Sequence, residues 1–78
     1  MNTLQKIVSD GFADALQKNN PEIARSIDSI VARGGTMKDI ARVMKMAQRI
    51  APDRKAPVLM DAIRAYARRK IAEKEGKQ

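Results

Sequence analysis

RGGTMKD, residues 33–39, holds the end of one helix and the start of the next with nothing between them. Consecutive glycines accept the left-handed backbone that closes a helix, because they carry no Cβ. Thr36 follows at once. Its hydroxyl can satisfy a free N–H of a new first turn, and Asp39, three residues on, stands at the reciprocal position of a capping box. A stop and a start this close make two helices turn sharply against each other, so the stretch predicts a helix–helix corner.

The sequence on either side agrees. Downstream, Ile40, Val43, Met44 and Ala47 recur at helical spacing, and Met37 and Ile50 extend that inner face at its two ends, giving a third helix up to about Ile50. Upstream, Ile23, Ile27, Ile30 and Val31 share one side of a second helix running from Pro21 to about Arg33. Proline is tolerated at a first helical position, where its missing N–H would be unpaired anyway, and Asn20 before it is a natural cap.

A first helix spans Thr3 to Lys18, capped by Asn2 or Thr3, with Leu4, Ile7, Val8, Phe12, Ala15 and Leu16 on one stripe and Gly11 beside them. A fourth starts at Ala56, after the loop APDRKAP of residues 51–57, and runs past Tyr66. Val58, Leu59, Ala62, Ile63, Tyr66 and Ala67 make its apolar side, which Ile71 can continue. No strand pattern or internal repeat is visible. The expected fold is all-α: a small bundle of four short helices with a tight Gly-Gly corner between helices 2 and 3. Residues 1–72 form its single domain, and residues 73–78 are a polar tail that frays.

Seventy-eight residues bury little: about 60% of the unfolded surface for a chain of this size. A second copy would bury more, so a homodimer is a candidate assembly. The composition, 44% apolar with Phe12 and Tyr66 as the only aromatics, requires an aliphatic core of Ile, Leu, Val, Met and Ala. Such a core suits helices packed on helices.

The residue inventory excludes more than it suggests. With neither cysteine nor histidine, the chain lacks a disulfide framework, a thiolate metal site and the commonest general base. Its acids are scattered, its serines have no base beside them, and Gly34-Gly35 follows no strand and matches no phosphate loop. The expectation is a protein that is not an enzyme, with no catalytic residue, metal or cofactor. The N-terminal MNTLQKIVSDGF has no signal-peptide core and no apolar run reaches membrane length, so the expected location is cytoplasmic, with no membrane partner.

Charge is where the sequence points outward. Residues 1–35 carry four basic and four acidic residues; residues 36–78 carry twelve and five, so the whole net charge of +7 lies in the second half. Four cations of helix 3, Lys38, Arg42, Lys45 and Arg49, stand at i, i+4, i+7 and i+11. At 100° per residue they fall within an arc of about 60°, opposite the apolar face. No acid interrupts the line, and its like-charge i,i+4 pairs repel by a few tenths of a kcal/mol each, a cost an anion would relieve. Arg54, Lys55, Arg64 and Arg68 flank it.

These features predict a small basic binding protein that contacts duplex DNA through its phosphates, by helices 3 and 4, as a regulator or a nucleoprotein accessory factor. If the corner is a helix-turn-helix, helix 3 is its recognition helix, with Arg42 and Gln48 able to reach base edges. The alternative is a helical inhibitor or adaptor whose basic strip docks on an acidic surface of a larger protein. Met46 and Ile50 would then be an apolar partner edge, or the seam of a dimer.

Overall fold

The corner forms as a Schellman turn followed by a capping box. In a computed structural model, which describes residues 3–51 and 53–76 and only the backbone of residues 3–7 and 9, Gly35 N–H donates to the Ile30 carbonyl at 2.8 Å and Gly34 N–H to the Val31 carbonyl at 3.0 Å. Gly34 takes φ +84°. Thr36 then opens the next helix: its hydroxyl accepts from Lys38 N–H at 3.3 Å, while Asp39 Oδ2 accepts from Thr36 N–H at 2.9 Å. Both halves of the capping box are in place.

Four helices result: α1 (Thr3–Asn19), α2 (Pro21–Ala32), α3 (Met37–Ile50) and α4 (Ala56–Gly76). The described residues contain no strand. The fold is the expected all-α bundle. Its arrangement follows from α4, which packs against each of the other three. α1 meets α2 and α2 meets α3, but α1 and α3 do not come into contact. Three helices thus wrap α4 in chain order, and its fourth side stays open between α1 and α3.

The core sits along α4. Ile63, Tyr66 and Ala67 have no exposed surface, and neither do Ile27 of α2 and Ile40 of α3. Each fully buried isoleucine contributes about 1.5–3 kcal/mol of burial. Ala24, Ala47 and Ala62 are also buried. Such small side chains let helix axes approach closely, which a core with two aromatics needs. The Tyr66 hydroxyl reaches the edge of this core and donates to Asp28 Oδ1 at 2.9 Å, joining α4 to α2. Removal from water is the larger cause, and the Asp28 carboxylate the next, that pushes its pKa from 10.0 up to about 12.

Several expectations need correcting. Among the described side chains of α1 the buried ones are Ala13 and Leu16, with Phe12 half-buried, while Val8 is 51% exposed and Ala15 and Gly11 face solvent. The seam is turned toward Ala13, on the side where Asp14 pairs with Arg69 of α4 at 3.0 Å. Asn20 stands at the head of α2 without a side-chain cap. Its N–H continues the α1 ladder to the Leu16 carbonyl and its ψ is 62°, so the backbone bends differently from an ordinary N-cap. Ile50 is 75% exposed and Val58 57%, so neither extends the core. The chain turns away at Ala51, which is extended at ψ 141°.

Nor does the ordered chain stop at residue 72, since α4 continues as helix to Gly76. Lys74 anchors this last stretch, its ammonium donating to the Val31 carbonyl at 2.7 Å and the Ala32 carbonyl at 3.3 Å. These are C-terminal carbonyls of α2, which a cation suits through both hydrogen bonding and the helix dipole. The expected cap at Asn2 or Thr3, the side chains of Leu4 and Ile7, and the last two residues lie outside the described residues.

Candidate functional site

α3 is held from behind and leaves its front free. Ile40, Val43 and Ala47 are buried, and Met37 and Met44 pack beside them. That fixes the rotation of the helix, and the opposite face must point to solvent. Lys38, Arg42, Lys45 and Arg49 are all exposed there. Among the described residues, none of their charged ends has an acid within ion-pair distance. The nearest acid in sequence, Asp39, is turned into the capping box. The line extends about 16 Å along the helix axis.

The flanking cations divide. Arg54 and Lys55 lie exposed in the turn from α3 to α4, beyond the end of the stripe, with no ion-pair partner among the described residues. Arg64 and Arg68 lie on the open side of α4, not on α3. Arg68 has no ion-pair partner among the described residues, whereas Arg64 is tied to Asp61 at 3.2 Å. The next two cations of α4 are structural. Arg69 bridges to Asp14, Lys70 reaches Glu73 at 3.7 Å, and both stand over the Tyr66 ring, 5.7 and 5.5 Å from its centroid. At such distances a cation is attracted by the face of the ring.

Met46, 63% exposed, and Ile50, 75% exposed, follow one another at i,i+4 on α3. They form an uncovered apolar edge beside the cationic line.

One feature escapes a reading of helix 3 alone. The sharp corner lays α2 against α3 and leaves a groove of about 780 Å³ between them. Arg25 and Ser29 of α2 and Arg33 at its C-cap follow one another at i, i+4 and i+8 along the groove, and Arg42 faces them from α3. Ile30, Val43 and Met46 supply the apolar part of the lining. Arg25 and Arg33 belong to the half of the chain whose charges sum to zero, so a charge count hides them. The i, i+4, i+8 spacing, together with the tight corner, is the signal that could have found them.

Among the described residues, no three His, Cys, Asp or Glu side chains come together as a metal site, and no helix is long and apolar enough to cross a membrane. Comparison with protein-family models, with curated proteins and with solved structures finds no match to this chain.

Proposed function

We propose that this chain is a non-enzymatic, cytoplasmic nucleic-acid-binding protein that docks on duplex DNA through its phosphates, with α3 as the contacting helix. The observation that carries this reading is the unpaired line of Lys38, Arg42, Lys45 and Arg49 on a helix whose rotation is fixed by its buried side. Four exposed cations with no acidic partner are mutually repulsive. Each phosphate they meet releases condensed counterions, which is the main driving force for sequence-independent binding. Arg54 and Lys55 continue the contact past the end of α3, and Arg68 adds a cation from α4. Arg64 contributes less, because Asp61 already neutralises part of its charge. A protein of this kind acts as a regulator or as an accessory factor in a nucleoprotein complex.

Changing Lys38, Arg42, Lys45 and Arg49 together to Gln tests the assignment. The expected result is loss of mobility-shift binding to a short duplex of random sequence at low salt. Undiminished binding by this variant would show that α3 is not the contacting surface.

A second reading rests on the exposure of Met46 and Ile50. Two large apolar side chains next to a cationic line also fit an acidic protein surface with an apolar centre, or a second copy of this chain at that edge. Partner binding of this type depends on a few apolar anchors and less on the charged rim. Ile50→Ser would then weaken binding sharply, while the same change leaves phosphate docking and its salt dependence in place.

A further inference from the structure

We infer that the α2–α3 groove is a second phosphate-backbone track, in which Arg25 of α2 and Arg33 at its C-cap act with Arg42 of α3 on one strand of the duplex. This rests on the proposed docking of α3 on DNA and extends it to a part of the chain that carries no net charge of its own. Three arginines face the groove against one acid, Asp39. The Asp39 carboxylate is engaged by the Thr36 N–H. Among the described residues, none of the three guanidinium groups has an ion-pair partner. The ridge from Arg25 to Arg33 is about 12 Å long, and a duplex strand presents a phosphate for every 3.4 Å or so of its axis. Several phosphates therefore fall within reach of one ridge.

The rest of the lining suits the same ligand. A sugar-phosphate strand alternates anionic oxygens with the carbon edges of deoxyribose. The groove offers partners for both: guanidinium groups and Ser29 among its polar lining, Ile30 and Val43 among its apolar lining. Arginine offers a planar fork that bonds phosphate oxygens in pairs, which a solubilising lysine does not. Arg42 lies both in the groove and on the exposed line of α3, so the two tracks meet at that residue.

The test is a salt titration of binding to a fluorescently labelled random duplex, read by anisotropy, for three proteins. These are the wild type, Arg25→Gln/Arg33→Gln, and the charge-preserving Arg25→Lys/Arg33→Lys. Each phosphate contact contributes about 0.9 to the slope of log K against log salt. The Gln pair is expected to bind with a slope shallower than wild type by about two, and the Lys pair to keep the wild-type slope. A Gln pair with the wild-type slope overturns the groove track and leaves the docking of α3 standing. A wild type that binds no duplex at low salt removes both. Both side chains are exposed, so unchanged circular dichroism is expected for all three proteins. A Gln pair that loses both helicity and slope, beside a Lys pair that loses both, would assign the arginines to the fold and overturn the track.

Discussion

Replacing Gly35 by alanine is expected to destabilise this chain more than the same change at Gly34 or Gly11. A Cβ built there collides with Ile30 Cγ2, lies 2.8 Å from the Ile30 carbonyl oxygen and sits 3.1 Å from Asp39 Oδ2. Two of these neighbours are held by hydrogen bonds. The carbonyl accepts the Gly35 N–H that closes α2, and the carboxylate accepts the Thr36 N–H that opens α3. Overpacking of this kind costs about 1–3 kcal/mol. Losing the carbonyl bond adds about 1 kcal/mol, so a total near 3 kcal/mol is expected. A chain of this length has about 4–12 kcal/mol of stability in all. At roughly 4–8 °C per kcal/mol for a domain this small, the midpoint should fall by on the order of 15 °C. The assay is thermal denaturation followed by circular dichroism, with two other glycines as controls. Gly34 has open space around it but φ +84°, so Gly34→Ala should cost only the left-handed penalty of about 1–2 kcal/mol. Gly11 is exposed within α1 with nothing near its Cβ, so Gly11→Ala should stabilise by about 0.5–1 kcal/mol. If Gly35→Ala melts within about 2 °C of wild type, or above Gly34→Ala, the account of the corner is wrong.

Other perturbations probe the remaining joints. Tyr66→Phe removes the donor to Asp28 and should cost about 1–2 kcal/mol at neutral pH in urea denaturation. The folded Tyr66 pKa, about 12, lies above its ordinary 10.0. Its contribution is therefore complete below about pH 10 and lost as pH rises through 12, so the gap between wild type and variant should close over that window. Lys74→Met should destabilise by about 1 kcal/mol, lowering the melting point by a few degrees, because the α2 carbonyls lose a charged cap. An unchanged melting point would mean that the last turns of α4 anchor nothing. The fourfold Gln variant of the α3 line should keep its helicity. It should melt slightly higher than wild type, since each like-charge i,i+4 pair costs only a few tenths of a kcal/mol. Unfolding by this variant would place those residues on the wrong face.

The corner was legible because its signals are local. Gly-Gly, Thr36 and Asp39 each specify a hydrogen bond within six residues of chain, and all of those bonds form. The face of α3 was legible for a similar reason, since its apolar spacing leaves one orientation. The seam of α1 was not. Phe12 and Val8 are larger than Ala13, yet Ala13 is buried beside Leu16 while Phe12 is only half-buried and Val8 is exposed, because a small side chain at position 13 lets α1 approach α4. Periodicity cannot weigh size against contact distance across helices. The end of α4 was hidden too: AEKEG reads as a solvated tail until α2 places two C-terminal carbonyls beside Lys74. The α2–α3 groove depends on a crossing between elements. For that reason Arg25 and Arg33 look like ordinary surface charges in sequence.

The central claim is that the unpaired cations of α3 meet phosphates. The most direct measurement is the affinity of the wild-type protein for a random labelled duplex over a range of salt concentrations. Binding is expected at low salt, with a slope of log K against log salt of about −4 or steeper, one phosphate for each cation of the line at the least. Absence of binding at low salt, or an affinity that does not change with salt, would contradict it.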